Sequence, residues 1–304
     1  MPYAQGVNQN TYLKIEGVGG TLDPAVAWIP LRLITNGLSQ SVEELESDEM
    51  LPGRHMAESR SGVSSVTGDL EAELTYGTFD MLLEAAFHGT WTANVLKTGS
   101  TRRKFAVLKH NEDIGRWLIY RGCEVGTLAI DCPLQGKIGI TISMIGTKEE
   151  PYVYDALTES IADPTDTVMM TTFEGSLTEG GTGLNHATAL SVTLENGMEA
   201  IYRLFSRDAY DIKLGRINVN GSLSAYIEDD RLKAKYRGET KTALVVTLTD
   251  GDNSYQIAMT RAKLTTASEE GGGDDPIIQN YDYRAFNDPA VGTEVTITRI
   301  PAAP

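Results

Sequence analysis

Val66-Thr67-Gly68-Asp69-Leu70 and Val219-Asn220-Gly221-Ser222-Leu223 share the pattern Val-x-Gly-x-Leu, 153 residues apart. Around the first, Val66, Leu70, Ala72 and Leu74 keep a period of two until Tyr76-Gly77 ends the run. Ile217, Val219, Leu223, Ala225 and Ile227 do the same around the second. Alternation of this kind places one side-chain set on a buried face and the other in water, so both stretches read as half-buried strands.

The segments after the two strands also match. Phe79, Leu82, Leu83, Ala86 and Phe87 recur at three- and four-residue spacing, which predicts a short amphipathic helix with Thr78 as its cap and Gly89 as its stop. Glu228 to Tyr236, followed by Gly238, is the shorter and more charged second helix, with Leu232 and Tyr236 facing inward. A hairpin comes next in both halves. Lys104–Lys109 turns through His110-Asn111-Glu112-Asp113 into Arg116–Val125, and Thr242–Leu248 turns through Asp250-Gly251-Asp252-Asn253 into Tyr255–Leu264. The last strands are Lys137–Ile145 and Pro276–Ala285.

Upstream lie Trp28–Ile34 and Ala189–Leu194, read as counterparts. Long polar excursions separate them from the Val-x-Gly-x-Leu strands, Asn36–Gly62 in the first half and Glu195–Gly215 in the second. Loops of that length without structure of their own are uncommon and usually make contacts. The first carries Glu43, Glu44, Glu46, Asp48 and Glu49, then Arg54 and Arg60; the second carries Arg203, Arg207 and Lys213. One is acidic and the other basic, a charge pattern suited to complementary contacts. The stretch Glu149–Thr171 reads as a linker. The chain therefore reads as a mainly β protein with short helices, built from two units, 1–160 and 161–304, each with one flanking helix.

Composition excludes several classes. The 304 residues are 41% hydrophobic and 22% charged with 30 glycines, which suits globular β structure and excludes collagen, coiled coil and disorder. The 42 acidic against 26 basic side chains leave a net charge of −16, which argues against tight nucleic-acid binding. No apolar run reaches the roughly 18–20 residues of a membrane-spanning helix, and the N-terminal residues lack the basic and apolar regions of an export signal. Cys123 and Cys132 are expected to be reduced packing residues.

Catalytic motifs are sparse. His55, His88, His110 and His186 are not at metal-ligand spacing, so no metal site is expected. Asp250-Gly251-Asp252-Asn253 opens like a calcium loop, but Arg261 stands where a bidentate Glu is needed, and a hairpin turn is expected instead. Gly17-Val18-Gly19-Gly20 lacks the Lys-Ser/Thr tail of a phosphate loop, and Gly271-Gly272-Gly273-Asp274-Asp275 would repel phosphate. No nucleophile elbow is present. Neither an enzyme nor a cofactor is expected. The competing class is a two-domain β-sandwich binding module for carbohydrate or a host surface. Such a module needs exposed aromatics, whereas Trp28, Trp91 and Trp117 all lie in or beside predicted strands.

Several stretches resemble the major tail tube proteins of long-tailed, siphovirus-type bacteriophages. They are Trp28-Ile29-Pro30-Leu31-Arg32, the run Ser64–Leu74 continuing through Tyr76-Gly77-Thr78-Phe79-Asp80 to Ala86, and Tyr210-Asp211-Ile212-Lys213-Leu214-Gly215-Arg216 through Tyr226. With the hairpins they cover most of 28–285. The resemblance implies a β-sandwich or barrel with one flanking helix per unit, and rings stacked into a hollow tube through which viral DNA passes without specific binding. It further implies a virion protein assembled in the host bacterial cytoplasm, with the tape measure protein and other tail proteins as partners. Because the chain carries two units, a homotrimer forming a pseudo-hexameric ring is expected; a hexamer with one unit outside is the alternative arrangement. A tail terminator or distal tail protein would share the fold.

Overall fold

The computed structural model describes residues 3–49, 55, 58–273 and 275–302. The first half runs β1 (Gln9–Ile15), β2 (Ile29–Leu31), β3 (Thr35–Asn36), β4 (Ser39–Glu46), β5 (Ser59–Glu73), α1 (Asp80–Phe87), β6 (Val95–Lys97), β7 (Phe105–Asn111), β8 (Arg116–Cys132), β9 (Gly139–Gly146) and β10 (Lys148–Pro151). The second runs β11 (Gly175–Glu179), β12 (Thr182–Gly183), β13 (Ala187–Glu195), β14 (Glu199–Ile201), β15 (Asp211–Lys213), β16 (Asn218–Tyr226), α2 (Arg231–Arg237), β17 (Thr242–Thr249), β18 (Ser254–Leu264), β19 (Ser268–Glu270), β20 (Ile278–Ala285) and β21 (Thr296–Ile300). The mainly β expectation with two short helices holds.

Each half has two sheets joined by one long strand. In the first, the N-terminal part of β8 lies between β7 and β10, with β1 and β2 beyond β7; its C-terminal part pairs with β9, which pairs with β5. In the second, β18 lies between β17 and β21, with β11 beyond β17, and then pairs with β20, which pairs with β16. Alternate residues point inward. Val66, Leu70, Val125 and Ile142 from one layer and Leu13, Val107 and Tyr120 from the other lie in a single buried cluster, which also takes in Leu223, Ile257, Tyr281 and Tyr283 of the second half.

The pairing registers of the two halves coincide. Leu70 faces Ile142 as Leu223 faces Tyr281. Val125 faces Met144 as Leu264 faces Tyr283. Even the irregularities recur: the hairpin β7–β8 shifts register between Phe105 and Val107, and β17–β18 shifts between Thr242 and Leu244.

The glycine of Val-x-Gly-x-Leu has a packing reason. A Cβ on Gly68 would lie 2.3 Å from the Gly37 carbonyl oxygen, and one on Gly221 would lie 2.0 Å from that of Ser191. Both positions sit where the neighbouring strand presses backbone against backbone, and only a missing side chain permits it.

Several local expectations are corrected. Asn36–Gly62 and Glu195–Gly215 are not unstructured excursions: among the described residues β4 pairs with the start of β5 and β14 pairs with β15, so each excursion carries an antiparallel hairpin pair. The counterpart of Ala189–Leu194 is not Trp28–Ile34, of which only Ile29–Leu31 is strand. It is the segment around β3 and β4, since Asn36 faces Leu70 as Leu190 faces Leu223. Thr78 does not cap α1. Phe79 occupies that position without a side-chain bond, and the Thr78 hydroxyl instead accepts from Thr75 at 2.7 Å. The left-handed C-terminal residue is His88 (φ 48) rather than Gly89. The second helix begins at Arg231, not Glu228, with Leu232 buried and Tyr236 packed on the core. Residues of the expected linker form β10 on β8, and Tyr152 and Tyr154 pack on the Trp28 cluster.

Two seams hold the halves together. β8 pairs with β13, from Cys132 opposite Leu190 to Thr127 opposite Glu195, and β6 pairs with β21. Beside them Asp80 accepts from the Tyr255 hydroxyl at 2.6 Å and pairs with Arg299 at 2.6 Å, while Arg299 lies 4.2 Å over the Trp91 ring. Asn196, 1% exposed, donates to the carbonyls of Ala86 (2.9 Å) and Val125 (3.0 Å).

Gly68→Ala and Gly221→Ala should each destabilise the protein by about 1–3 kcal/mol or more through backbone overlap. Alanine at Gly139, where nothing lies within 4 Å of the added carbon, should be near neutral. Chemical denaturation of the three variants checks this, and equal stability of all three would refute the close-approach explanation.

Candidate functional site

The seam β8–β13 makes one continuous sheet out of both halves, in the order β4, β5, β9, β8, β13, β16, β20, β19. Its inner face is the core. Its outer face is set by the alternate residues, which in β5 are Thr67, Asp69 and Glu71, in β8 Thr127, Ala129 and Asp131, in β16 Asn220 and Ser222, and in β20 Asp282 and Arg284. Small polar side chains and carboxylates dominate this broad surface.

Two hairpins project from the same sheet. On the first, Glu43, Glu44 and Glu46 are exposed along β4, Asp48 and Glu49 are exposed at its end, and Arg60 is exposed on β5. Glu44 accepts from the Ser59 hydroxyl across the pair. Arg54 lies outside the described residues. On the second, Arg203 is exposed with its guanidinium 4.9 Å over the Tyr210 ring, Arg207 is exposed, and Lys213 lies 3.7 Å from Glu199.

The hairpins meet between Ser64 of β5 and the loop that joins β14 to β15, not through the acidic and basic side chains expected to complement each other. Ser64 donates its backbone N–H to the Arg207 carbonyl (2.8 Å) and its hydroxyl to Asp208 (2.8 Å), while the Tyr202 hydroxyl donates to the Ser64 carbonyl (3.1 Å). No ion pair joins Glu43, Glu44, Glu46, Asp48 or Glu49 to Arg203, Arg207 or Lys213 among the described residues.

An ionic network around one buried carboxylate, missed by sequence reasoning, fixes the second hairpin. Glu124, fully buried, takes Arg102 at 2.5 Å; Arg102 also donates to the Ile212 carbonyl at 2.6 Å, and Lys104 pairs with Asp211 at 2.6 Å. Burial pushes the Asp211 carboxyl up, but the Lys104 hydrogen bond, a backbone N–H and the neighbouring cations outweigh it and hold the group at about 2. The signal available in sequence was the cluster Arg102-Arg103-Lys104, two of whose partners, Asp211 and Ile212, lie more than a hundred residues away. At the tip, Leu204 and Phe205 are both exposed, and Phe205 sits in left-handed backbone (φ 66).

Other candidate chemistry does not assemble. Cys123 is buried and its thiol is pushed up by burial; Cys132 is pushed up to about 12 for the same reason. No cluster of three or more potential metal ligands occurs among the described residues. No helix among the described residues is long and apolar enough to cross a membrane.

Layered sheets with a polar outer face and charged projecting hairpins define a mainly β protein with two short helices. The chain belongs to the phage tail tube protein family, whose model matches residues 6–285. That family is a structural one of the phage tail. No curated protein sequence matches the chain significantly.

Because Asp211 ionises more readily in the folded chain than in the unfolded one, its contribution to stability is present above about pH 4 and is lost as pH falls toward 2. The Asp211→Asn variant should therefore be less stable than the parent at pH 5 and 7, with the difference closing between pH 4 and pH 2. Urea unfolding across that range measures it; a gap that persists at pH 2 would contradict the assignment.

Proposed function

We propose that the chain is a non-enzymatic tail tube subunit that self-assembles into stacked rings, forming a hollow tube for passage of viral DNA during ejection. The residues 1–160 and 161–304 are then two copies of one tube unit, and three chains close a pseudo-hexameric ring. The observation that carries this reading is the repeated register: two halves with the same strand pairings, the same register shift and the same glycine contact are two forms of one building block. Ring closure also disposes of the open edges, which would otherwise promote unlimited association.

The outer face of the continuous sheet suits the lumen. Asp69, Glu71, Asp131 and Asp282 on that face, together with a net charge of −16, repel phosphate and give DNA no site at which to pause. The projecting hairpins suit contacts between rings. A bulky aromatic held exposed in left-handed backbone, as Phe205 is, costs an isolated molecule free energy and makes sense at a contact. The tape measure protein and other tail proteins are the further partners, in a particle assembled in the host cytoplasm.

Electron microscopy of the purified protein at high concentration tests the reading. Hollow tubes of rings with three chains each are expected. Rings of six chains would place one unit outside the tube, and absence of rings or tubes, with or without the tape measure protein as initiator, would overturn the function. In the same assay, reversing Glu43, Glu44 and Glu46 to Lys should leave rings intact and reduce tube length at least tenfold. Tubes of normal length would remove the first hairpin from the stacking contact.

A further inference from the structure

We propose that the seam between the two halves of one chain is the template for the contact between copies, so that Asn36–Ser41 of one copy pairs antiparallel with Thr266–Gly271 of the next. The proposal rests on the ring reading above and assigns it a surface and a register.

The two edges are open counterparts of the two strands that meet in the internal seam. β19 occupies on β20 the place that Ala129–Asp131 of β8 occupies on β9, since Ser268 faces Asn280 as Ala129 faces Thr141. In the first half that strand is covered on its other edge by β13, and Ile130 is 4% exposed. In the second half nothing among the described residues covers it, and Ser268, Glu269 and Glu270 are all exposed. At the other end of the sheet, residues 36–41 occupy on β5 the place that 190–195 of β13 occupies on β16. Asn36 faces Leu70 as Leu190 faces Leu223, and Ser39 faces Thr67 as Thr193 faces Asn220. β13 presents its second edge to β8, whereas β3 and β4 pair with β5 alone among the described residues.

Carrying the internal register across gives a definite contact. Thr193 opposite Ala129 becomes Ser39 opposite Ser268 of the neighbouring copy, and Glu195 opposite Thr127 becomes Ser41 opposite Thr266. The contact is heterologous, one end of the sheet meeting the other end of the next, which is the geometry that closes rings. Backbone bonds along both edges are then satisfied without any new fold.

The hairpins extend the correspondence. Leu45 faces Arg60 as Glu199 faces Lys213, so Glu58 holds the position of Asp211. Inside the chain Asp211 reaches across the seam to Lys104, the residue preceding β7. The residue preceding β17 is Lys241, exposed, over the Phe286 ring at 5.2 Å and with no carboxylate at ion-pair distance among the described residues. Its neighbour Glu239 is already neutralised by Lys263 at 2.9 Å. Glu58 of one copy and Lys241 of the next are therefore the pair that completes the contact.

Directly opposed strand residues have Cβ atoms about 4.5–5.5 Å apart, close enough for a disulfide after a small adjustment. In a Cys132→Ser background, which leaves only the buried Cys123, the pair Ser39→Cys with Ser268→Cys should give dimers and trimers on a non-reducing gel after mild oxidation of assembled protein. A one-residue slip places side chains on opposite faces, so Ser39→Cys with Glu269→Cys should cross-link at least tenfold less. Independently, Lys241→Glu should prevent ring formation and Lys241→Glu with Glu58→Lys should restore it. Rings or tubes visible by microscopy with equal cross-linking from the two cysteine pairs, or with no rescue by the charge exchange, would overturn the proposed contact and leave the tube function standing. Absence of any ring from the parent protein would overturn both.

Discussion

Backbone hydrogen bonding along β8 is the constraint on which the rest of the molecule depends. A buried strand must have its N–H and C=O groups paired on both sides, and β8 runs for 17 residues through the interior. Its first part is satisfied by β7 and β10, its second by β9 and β13. A register shift between Val125 and Thr127 marks the passage from one layer to the other. Because the last of these partners belongs to the other half of the chain, this one strand ties the sheets of both halves together.

The two halves show how one backbone plan accommodates different surroundings. Where β13 covers the edge, the inward positions are Leu128 and Ile130; where no described residue covers it, the corresponding place of Ile130 holds Glu269, bound to Lys233. A charged residue on an uncovered edge discourages indiscriminate strand addition while leaving a specific partner able to pair. Arg102 with Glu124 has its counterpart in Glu239 with Lys263, the same ion pair with the signs exchanged. The position requires opposite charges across the strands and is indifferent to which strand carries which.

Helix α2 illustrates a second way of holding a poor hydrophobic element. With only Leu232 buried, it depends on the buried Glu179 of β11, which binds Lys235 and, at 3.6 Å, Arg231. Helix α1 needs no such device, since Leu82, Leu83, Ala85, Ala86 and Phe87 all enter the core. Removing one partner of a buried charge set is costly because the other is left unpaired, so the two helices respond to different kinds of substitution.

Sequence by itself determined the strands around the repeat, both helix–hairpin segments and their repetition, because alternation and helical spacing are local records of burial. It failed where neither face is buried: along Ser39–Glu46 nearly every residue is exposed, so no period of two exists to be read. The first strand, Gln9–Ile15, is mostly polar and carries no clean alternation, although Leu13 is in the core. The family likeness was legible, but the charged residues on the hairpins were placed only as contact elements of unspecified direction. Which edges are covered and which stay open, why Gly68 and Gly221 are glycine, and that Arg102 and Lys104 reach Glu124 and Asp211 were decided by tertiary structure alone. Each depends on the approach of separate segments of the chain, and sequence periodicity carries no information about what lies across a strand.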